Sequence, residues 1–387
     1  MSSPSARFHH WGQEPWTIDF VPARRSLPHE ADFAVVGAGF TGLAAAASLR
    51  MQARDKSVVV LEGGRIGHGA SGRTGGMVLA ESAAGDLPGL GDVLAGLQQI
   101  LTEISRASGV PIAEHADLTL SGAWEIGRRS PHREDSPIEW QDSGTLRVRG
   151  EVPGGTLDPG RMVESLARAA EKLGAILVEN TRVEQVRWLD GGGGELQFAG
   201  GRLRARKILL ATNALSLDMA HLTGGMHPKL TLAATTAPIH DGRLEELGLA
   251  QRKPFYTTDL PYLWGRVCAD NAIVWGAGLL DPPQGGTVED VDVTSGDGTR
   301  IFASLERRIR RLRPGFEDLT FTHRWGGPIL FRENWTPVFS PHPESRDGMV
   351  IGAFAGHGVA LSSYLGAWAA EAMLGRRALP DWGRIGP

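Results

Sequence analysis

The chain has 387 residues, enough at about 150 per domain for two or three domains with a sizeable core, which excludes a peptide or a single small module. Its formal net charge is −4 with no long run of either sign, so nothing resembles a nucleic-acid footprint and no nucleic-acid partner is expected. The 52 glycines are about 13% of the chain, against a usual share near 7%, so many must serve turns or places where backbone meets a ligand closely.

After a lead-in containing Pro15, Pro22, Arg24, Arg25 and Pro28, the apolar run Phe33 to Val36 meets Gly37-Ala38-Gly39-Phe40-Thr41-Gly42. A helix rich in Ala and Leu is expected from Thr41 to Met51, then a buried β-branched strand from Val58 to Leu61 ending at Glu62. Arg65 to Gly76 is a glycine-dense loop, and Leu87 to Ala107 reads as a core helix with Leu94, Leu97, Leu101 and Ile104 on one face. Leu118 to Ile126 alternates like a strand, Arg128 to Asp142 like a surface connection, and a boundary is expected near Gly150.

Asp158 is placed to cap an amphipathic helix with Pro159 at its first position and Gly174 as its stop. Strands are expected at Ile176 to Val178, Val183 to Leu189, Glu195 to Phe198 and Ile208 to Leu210, with a hairpin turn at Gly191 to Gly194. Leu230 to Pro238 and Ala272 to Trp275 are further strands. Ile301 to Leu312 is a helix whose Arg307, Arg308, Arg310 and Arg311, with the following Arg313, read as a solvated face. The chain closes with a strand at Met349 to Ile351, a glycine turn, and an Ala-rich helix from Val359 to about Leu374.

Cys268, the one cysteine, permits neither an internal disulfide nor a thiolate metal cluster, and the polar stretch Met1 to Trp11 has no apolar signal core. A reducing cytoplasm is therefore the expected location, with no metal site and an oligomer left open. No apolar run approaches the roughly 18 residues that span a bilayer.

A lone GxGxxG is weak, but here a strand precedes it, a helix follows, and Glu62 lies 20 residues beyond Gly42 at the end of the next strand. Gly37 permits the tight turn, Gly39 lets backbone reach a pyrophosphate, and Gly42 lets the helix pack on the strand. The helix N-terminus favours the anion, and Glu62 accepts from a ribose. A second such motif is missing: Gly276-Ala277-Gly278 leads into Leu279-Leu280-Asp281-Pro282-Pro283, which cannot open a helix.

Val35 to Leu43, Gly69 to Gly76, Lys207 to Ala214 and Gly356-His357-Gly358-Val359 before a helix together resemble the D-amino-acid oxidase superfamily of FAD-dependent oxidoreductases. The likeness is to its glycine oxidase, sarcosine oxidase and gamma-glutamylputrescine oxidase branches, over nearly the whole chain. It implies that Glu62 binds the adenosine ribose and that Ala70, Ser71, Arg73, Thr74, Gly75 and Gly76 line the pyrophosphate and flavin. Val183 would meet adenine through its backbone, Ala211 and Thr212 would lie beside the cofactor, and Gly356, His357, Gly358 and Val359 would present N–H groups to the flavin ring. Phe40, Thr41, Gly63, Arg65 and Met77 complete the expected cofactor set. FAD is expected to be noncovalent, with Cys268 structural and His68 the weaker covalent alternative.

The family chemistry implied is oxidation of an amine by hydride transfer to flavin, with imine hydrolysis and reoxidation by oxygen or another acceptor. Expected pocket residues are Trp264, Arg266, Trp325, Arg332 and His357. Four of these have a structural alternative: core packing for the two indoles, capping of a turn for His357, an ion pair with Glu333 or a surface acid for Arg332. Glycine-oxidase-like members carry an arginine a few residues after the matching tryptophan. Here Trp325 is followed by Gly326-Gly327-Pro328-Ile329-Leu330-Phe331, which favours a larger amine over an α-amino acid unless Arg332 or Arg266 supplies the clamp.

The expected architecture is α+β: an α/β FAD-binding domain of Rossmann type from 1–85, 151–224 and 315–387, with a mixed-sheet substrate domain from 86–150 and 225–314. The active site is expected at their junction. D-amino-acid or glycine/sarcosine-type oxidation is the alternative, and a flavin-binding subunit of a larger electron-transfer complex is the alternative of another class.

Overall fold

The computed structural model describes residues 9–128, 136–222 and 224–385. A two-residue strand, β1 (Gly12–Gln13), precedes the unit β2 (Glu30–Val36), α1 (Phe40–Gln52) and β3 (Val58–Leu61). Next come α2 (Ala70–Arg73), β4 (Met77–Leu79), α3 (Val93–Ser108), α4 (Ile112–His115), β5 (Ala123–Gly127), β6 (Glu139–Gln141), β7 (Thr145–Val152) and β8 (Gly154–Thr156). The middle of the chain forms α5 (Pro159–Lys172), β9 (Ile176–Val178), β10 (Val183–Trp188), β11 (Gly194–Phe198), β12 (Gly201–Leu210) and β13 (Met226–Thr236). The remainder forms α6 (Asp241–Glu246), β14 (Phe255–Thr257), β15 (Trp264–Val267), β16 (Ile273–Leu280), α7 (Gly296–Arg311), β17 (Phe321–Arg332), β18 (Val338–His342), β19 (Ser345–Gly352) and α8 (Gly358–Met373).

Two large sheets organise these elements. In the first, β9, β3, β2, β12 and β19 run parallel, and β10, β11 and β18 extend it antiparallel. Its strands read as continuous apolar runs because helices cover it; Val58 to Leu61 is buried throughout. Helix α1 is buried from Phe40 to Leu49 and shares one core cluster with α3, α5 and α8. The second sheet has the order β1-β17-β13-β16-β15-β14-β5-β7-β6 and is mixed, with the β14–β5 pair parallel. Behind it Trp140, Phe255, Trp275 and Phe316 pack at ring separations of 5.0–5.6 Å, alongside Leu305 and Ile309 of α7.

The capped helix was fully legible: Asp158 accepts from Arg161 N–H at 2.9 Å, Pro159 opens α5, and Gly174 follows its end at φ +98°. Helix α3 starts at Val93 rather than near Leu87, because Asp92 caps it while Gly89 and Gly91 hold positive φ ahead of it. Strand β5 starts at Ala123 rather than Leu118, since Gly122 turns the chain at φ +87°. Within the expected 128–142 connection, β6 forms at its end; residues 129–135 lie outside the described residues.

Two elements sit across the expected division. Helix α3 packs with α1, α5 and α8, and β17 pairs along its length with β13 in the mixed sheet. Gly150, the expected boundary, lies within β7 and pairs with Glu125. No described helix is long and apolar enough to cross a membrane.

Candidate active site

Between the two sheets lies a cavity of about 1080 Å³, lined at one end by Glu62, Gly63, Arg182 and Val183 and at the other by Tyr256, Trp264 and Gly356 to Val359. The glycine turn shapes its first wall. Gly37 has φ +101°, and a Cβ on Gly42 would stand 1.9 Å from the Gly37 carbonyl oxygen, so α1 can approach β2 only without a side chain there. The N-terminus of α1, capped by Gly39 with no side-chain bond, opens on the cavity through Gly39, Phe40 and Thr41.

Glu62 joins the two halves of the motif. Its carboxylate accepts from Ala38 N–H at 2.8 Å and Gly64 N–H at 2.9 Å. Burial nevertheless raises its pKa, with Glu179 adding to the effect against the amide bonds. Beside it Arg182 makes a bidentate pair with Glu289 at 2.6 and 2.8 Å, which keeps the guanidinium charged. These two residues were invisible to sequence reasoning, because they lie 107 positions apart and belong to no motif.

The segment 70–76 is held from behind. Trp16 donates from its indole to the Gly72 carbonyl at 2.6 Å, Trp325 to the Arg73 carbonyl at 2.9 Å, and Arg266 Nε to the Gly75 carbonyl. Carbonyl oxygens occupied this way do not compete for the space that an anionic cofactor would take. Ser71 Oγ accepts from Phe40 N–H at 2.9 Å and so ties this segment to the first turn of α1. Arg73 is buried and sends Nη1 to the carbonyls of Gly12 (3.1 Å) and Gly326 (3.3 Å) and to Glu14 (3.3 Å). Ala70, Ser71, Arg73, Thr74, Gly75 and Met77 line the cavity, as do Ala211 and Thr212.

At the far end α8 points its N-terminus into the cavity. Gly356 turns at φ +90°, and Ala353 and Ala355 hold φ +58° and +50°, strained values for alanine that the Ala353 N–H bond to Asn213 Oδ1 and the Ala355 N–H bond to Leu330 O sustain. His357 caps α8 without a side-chain bond to it, and burial lowers its pKa, so the imidazole is neutral at neutral pH. Trp264 lies between two glycines: a Cβ on Gly75 or Gly276 would come within 2.2 or 1.9 Å of its ring.

Of the expected pocket residues, Trp264 and His357 line the cavity and three do not. Trp325 is fully buried and packs edge-to-face on Trp16 at 5.4 Å. Arg266 is buried behind Gly75, and Arg332 donates to Thr336 Oγ1 and the Arg384 carbonyl, so neither guanidinium reaches the cavity. Arg65 is exposed outside it, and Gly42 and Gly76 lie behind its wall. Sequence reasoning missed Tyr256 and the segment Leu260 to Leu263, which line the cavity together with Trp264. The scarcity of tyrosine was the available signal, since two of the three in the chain line this cavity. Tyr256 donates to Glu125 at 3.4 Å, and burial with the Glu125 and Glu81 charges pushes its phenol well above the ordinary value, leaving it a neutral donor.

The fit to a dinucleotide rests on the residues themselves. The side-chain oxygens of Thr212 and Ser362 are buried at the cavity wall without a hydrogen-bond partner, and two helix N-termini converge there. Glu62, Gly37, Gly39 and Ser71 would hold the adenosine and pyrophosphate, and Thr212 with Gly356 to Val359 the ring system. Elsewhere His221, His342 and Glu344 come within 4.8 Å of one another, but the two ring nitrogens of His342 are engaged by Met219 O and Glu344 N–H.

Comparison with known proteins agrees with this geometry. A glycine oxidase of Geobacillus kaustophilus is 25% identical over 381 residues, covering 89% of this chain and 93% of the relative. The gamma-glutamylputrescine oxidoreductase of Escherichia coli is 26% identical over 386 residues, covering 89% and 84%. A probable oxidoreductase, OrdL, of Rhizobium meliloti is 25% identical over 402 residues, covering 93% and 88%. The crystal structure of the Geobacillus kaustophilus glycine oxidase superposes with a TM-score of 0.67 at 21% identity, covering 92% of this chain and 97% of that one. The family described as FAD dependent oxidoreductase matches residues 32–372, and the chain belongs to this DAO family of flavoenzymes.

Proposed function

We propose that the protein oxidises the C–N bond of a primary or secondary amine to an imine, which then hydrolyses in water, with noncovalent FAD and with oxygen as the acceptor. One observation carries the choice of amine over α-amino acid: among the described residues lining the substrate side, none is an arginine or lysine. An α-carboxylate would enter that space without a cationic partner, at a high desolvation cost. The charged lining residues Glu62, Arg182, Glu184 and Glu289 belong to the nucleotide end, and Arg73, in the 70–76 segment, directs Nη1 away to the Gly12 and Gly326 carbonyls and Glu14.

FAD supplies the hydride acceptor. The chain's own groups would do the rest: Trp264, fixed between Gly75 and Gly276, walls the substrate position, and neutral His357 adds no positive charge to repel an ammonium. The Tyr256 phenol, backed by Glu125, offers a fixed polar contact. Neither Cys268 nor His68 lines the cavity, which supports noncovalent attachment. The glycine-type alternative draws on the named relative, and it would need a carboxylate held by Tyr256 and His357 alone.

The test is the visible spectrum of the FAD-reconstituted protein, followed anaerobically while primary and N-methyl amines, glycine and D-amino acids are added singly. Bleaching by amines and recovery on admitting air are expected. Bleaching by glycine or a D-amino acid alone would overturn the amine assignment, and a bleached spectrum that air leaves unchanged would overturn the oxygen assignment. Flavin remaining with acid-precipitated protein would overturn noncovalent attachment.

A further inference from the structure

Five large hydrophobic side chains are exposed among the described residues, and four of them, Leu260, Tyr262, Leu279 and Trp335, line this same cavity. Their exposures are 69, 55, 43 and 46%. Scattered exposed apolar residues need no explanation, but convergence on one opening does. Resting on the amine reading, we propose that the substrate carries an alkyl or aryl arm that runs from the reacting C–N bond to this rim and is bound there by Leu260, Tyr262, Leu279 and Trp335.

The rim is built, not left over. Three consecutive carbonyls of its loop are taken by two arginines from other elements: Leu260 O by Arg128 (3.2 Å), and Pro261 O and Tyr262 O by Arg308 (2.8 and 3.3 Å). Asp142 locks both, accepting from Arg308 Nη2 at 2.6 Å through its carboxylate and from Arg128 Nε at 2.9 Å through its carbonyl. Arg308 thus leaves the solvated role expected of the Arg-rich helix. The clamp fixes the backbone so that Leu260 and Tyr262 remain at the opening instead of folding into a core.

Trp335 is held in a second way. It has φ +61°, which is rare for a bulky residue, and its N–H donates to Arg332 O at 2.9 Å. Arg332 in turn anchors the turn through Thr336 and the Arg384 carbonyl, while Phe331 meets the Trp335 ring edge-on at 5.2 Å. The wall between rim and interior carries no charged side chain: Ala233, Ala277, Ile329 and Leu330 line it together with Thr231, whose hydroxyl donates to the Gly278 carbonyl at 3.4 Å. A charged or strongly hydrated arm would lose its solvation there without compensation.

The test uses FAD-reconstituted protein and n-alkyltrimethylammonium ions from ethyl to hexyl, which carry an arm but cannot be oxidised as amines. Dissociation constants come from perturbation of the flavin band and from calorimetry. The expected result is a fall of about fourfold per methylene as the arm is buried. Tyr262→Ser and Trp335→Asn should flatten this slope, asparagine being chosen because it tolerates positive φ, and Trp335→Phe should restore most of it.

A flat slope in the unsubstituted protein overturns the proposal. A stable dimer in sedimentation that the same two substitutions dissociate also overturns it, since the rim would then be covered by a second copy of the chain. A steep slope together with n-alkylamines that leave the flavin oxidised would retain the apolar-arm site and overturn the amine reading instead.

Discussion

The Trp325 indole donates to the Arg73 carbonyl at 2.9 Å, joining positions 252 residues apart. The bond ties the mixed sheet to the segment that lines the cofactor cavity, and it lies next to the matching Trp16 bond to Gly72 at 2.6 Å. Trp325 therefore acts on the site from behind, by holding a backbone carbonyl away from the cavity. Trp325→Phe should leave that buried carbonyl without its donor and cost about 2 kcal/mol. Urea unfolding of the holoprotein measures this, and flavin retention on dilution should fall in parallel. A loss of turnover with unchanged stability and unchanged flavin retention would show instead that Trp325 touches substrate.

Gly42→Ala tests the turn directly. The added methyl would stand 1.9 Å from the Gly37 carbonyl oxygen, which has β2 backbone behind it and cannot yield cheaply. A loss of about 3 kcal/mol in unfolding free energy is expected, with little flavin in the purified protein. Wild-type stability and flavin content in this variant would show that α1 can slide along β2.

Glu62 has a raised pKa in the folded, cofactor-free protein, so the stability linked to its protonation is fully present below the unfolded value near 4.5 and is lost as pH rises through the higher folded value. Cofactor-free Glu62→Gln should lack that component of the pH dependence. In a urea series on wild type and variant from pH 4.5 upward, the two slopes should differ. Both Glu62→Gln and Glu62→Ala should weaken FAD binding by ~10-fold or more, the loss of a charged acceptor for ribose hydroxyls, as read by flavin fluorescence quenching.

His357 shifts in the opposite sense. Its folded pKa lies below the ordinary 6.5, so the stability tied to its neutral form is present above 6.5 and is lost as pH falls through the depressed value. His357→Asn should remove that acid loss, visible in thermal unfolding of the cofactor-free protein below pH 6.5. Amine affinity should also weaken across the same window in wild type and not in the variant, because only a protonated imidazole repels the ammonium.

The elements legible from sequence are those whose determinants lie close together along the chain. Gly37, Gly39, Gly42 and Glu62 fall within one strand-helix-strand unit, and Asp158, Pro159 and Gly174 bracket a single helix, so spacing alone conveys their roles. Trp264 and Trp325 carry no such information. Both are indoles on strands, yet one lines the cavity between Gly75 and Gly276 while the other turns to the Arg73 carbonyl.

Sequence by itself determined the class of cofactor, the α+β organisation and the absence of an arginine a few residues after Trp325. Each is written in short-range patterns of turn, helix and strand residues. Tertiary structure alone decided which arginines are withdrawn from the cavity, that Arg182 and Glu289 meet beside Glu62, and that Tyr262 and Trp335 stand at its mouth. The physical reason is that these outcomes depend on pairing between strands and loops tens to hundreds of residues apart, where an arginine's partner is a backbone carbonyl. Every residue type presents the same carbonyl, so the amino-acid letters do not mark it.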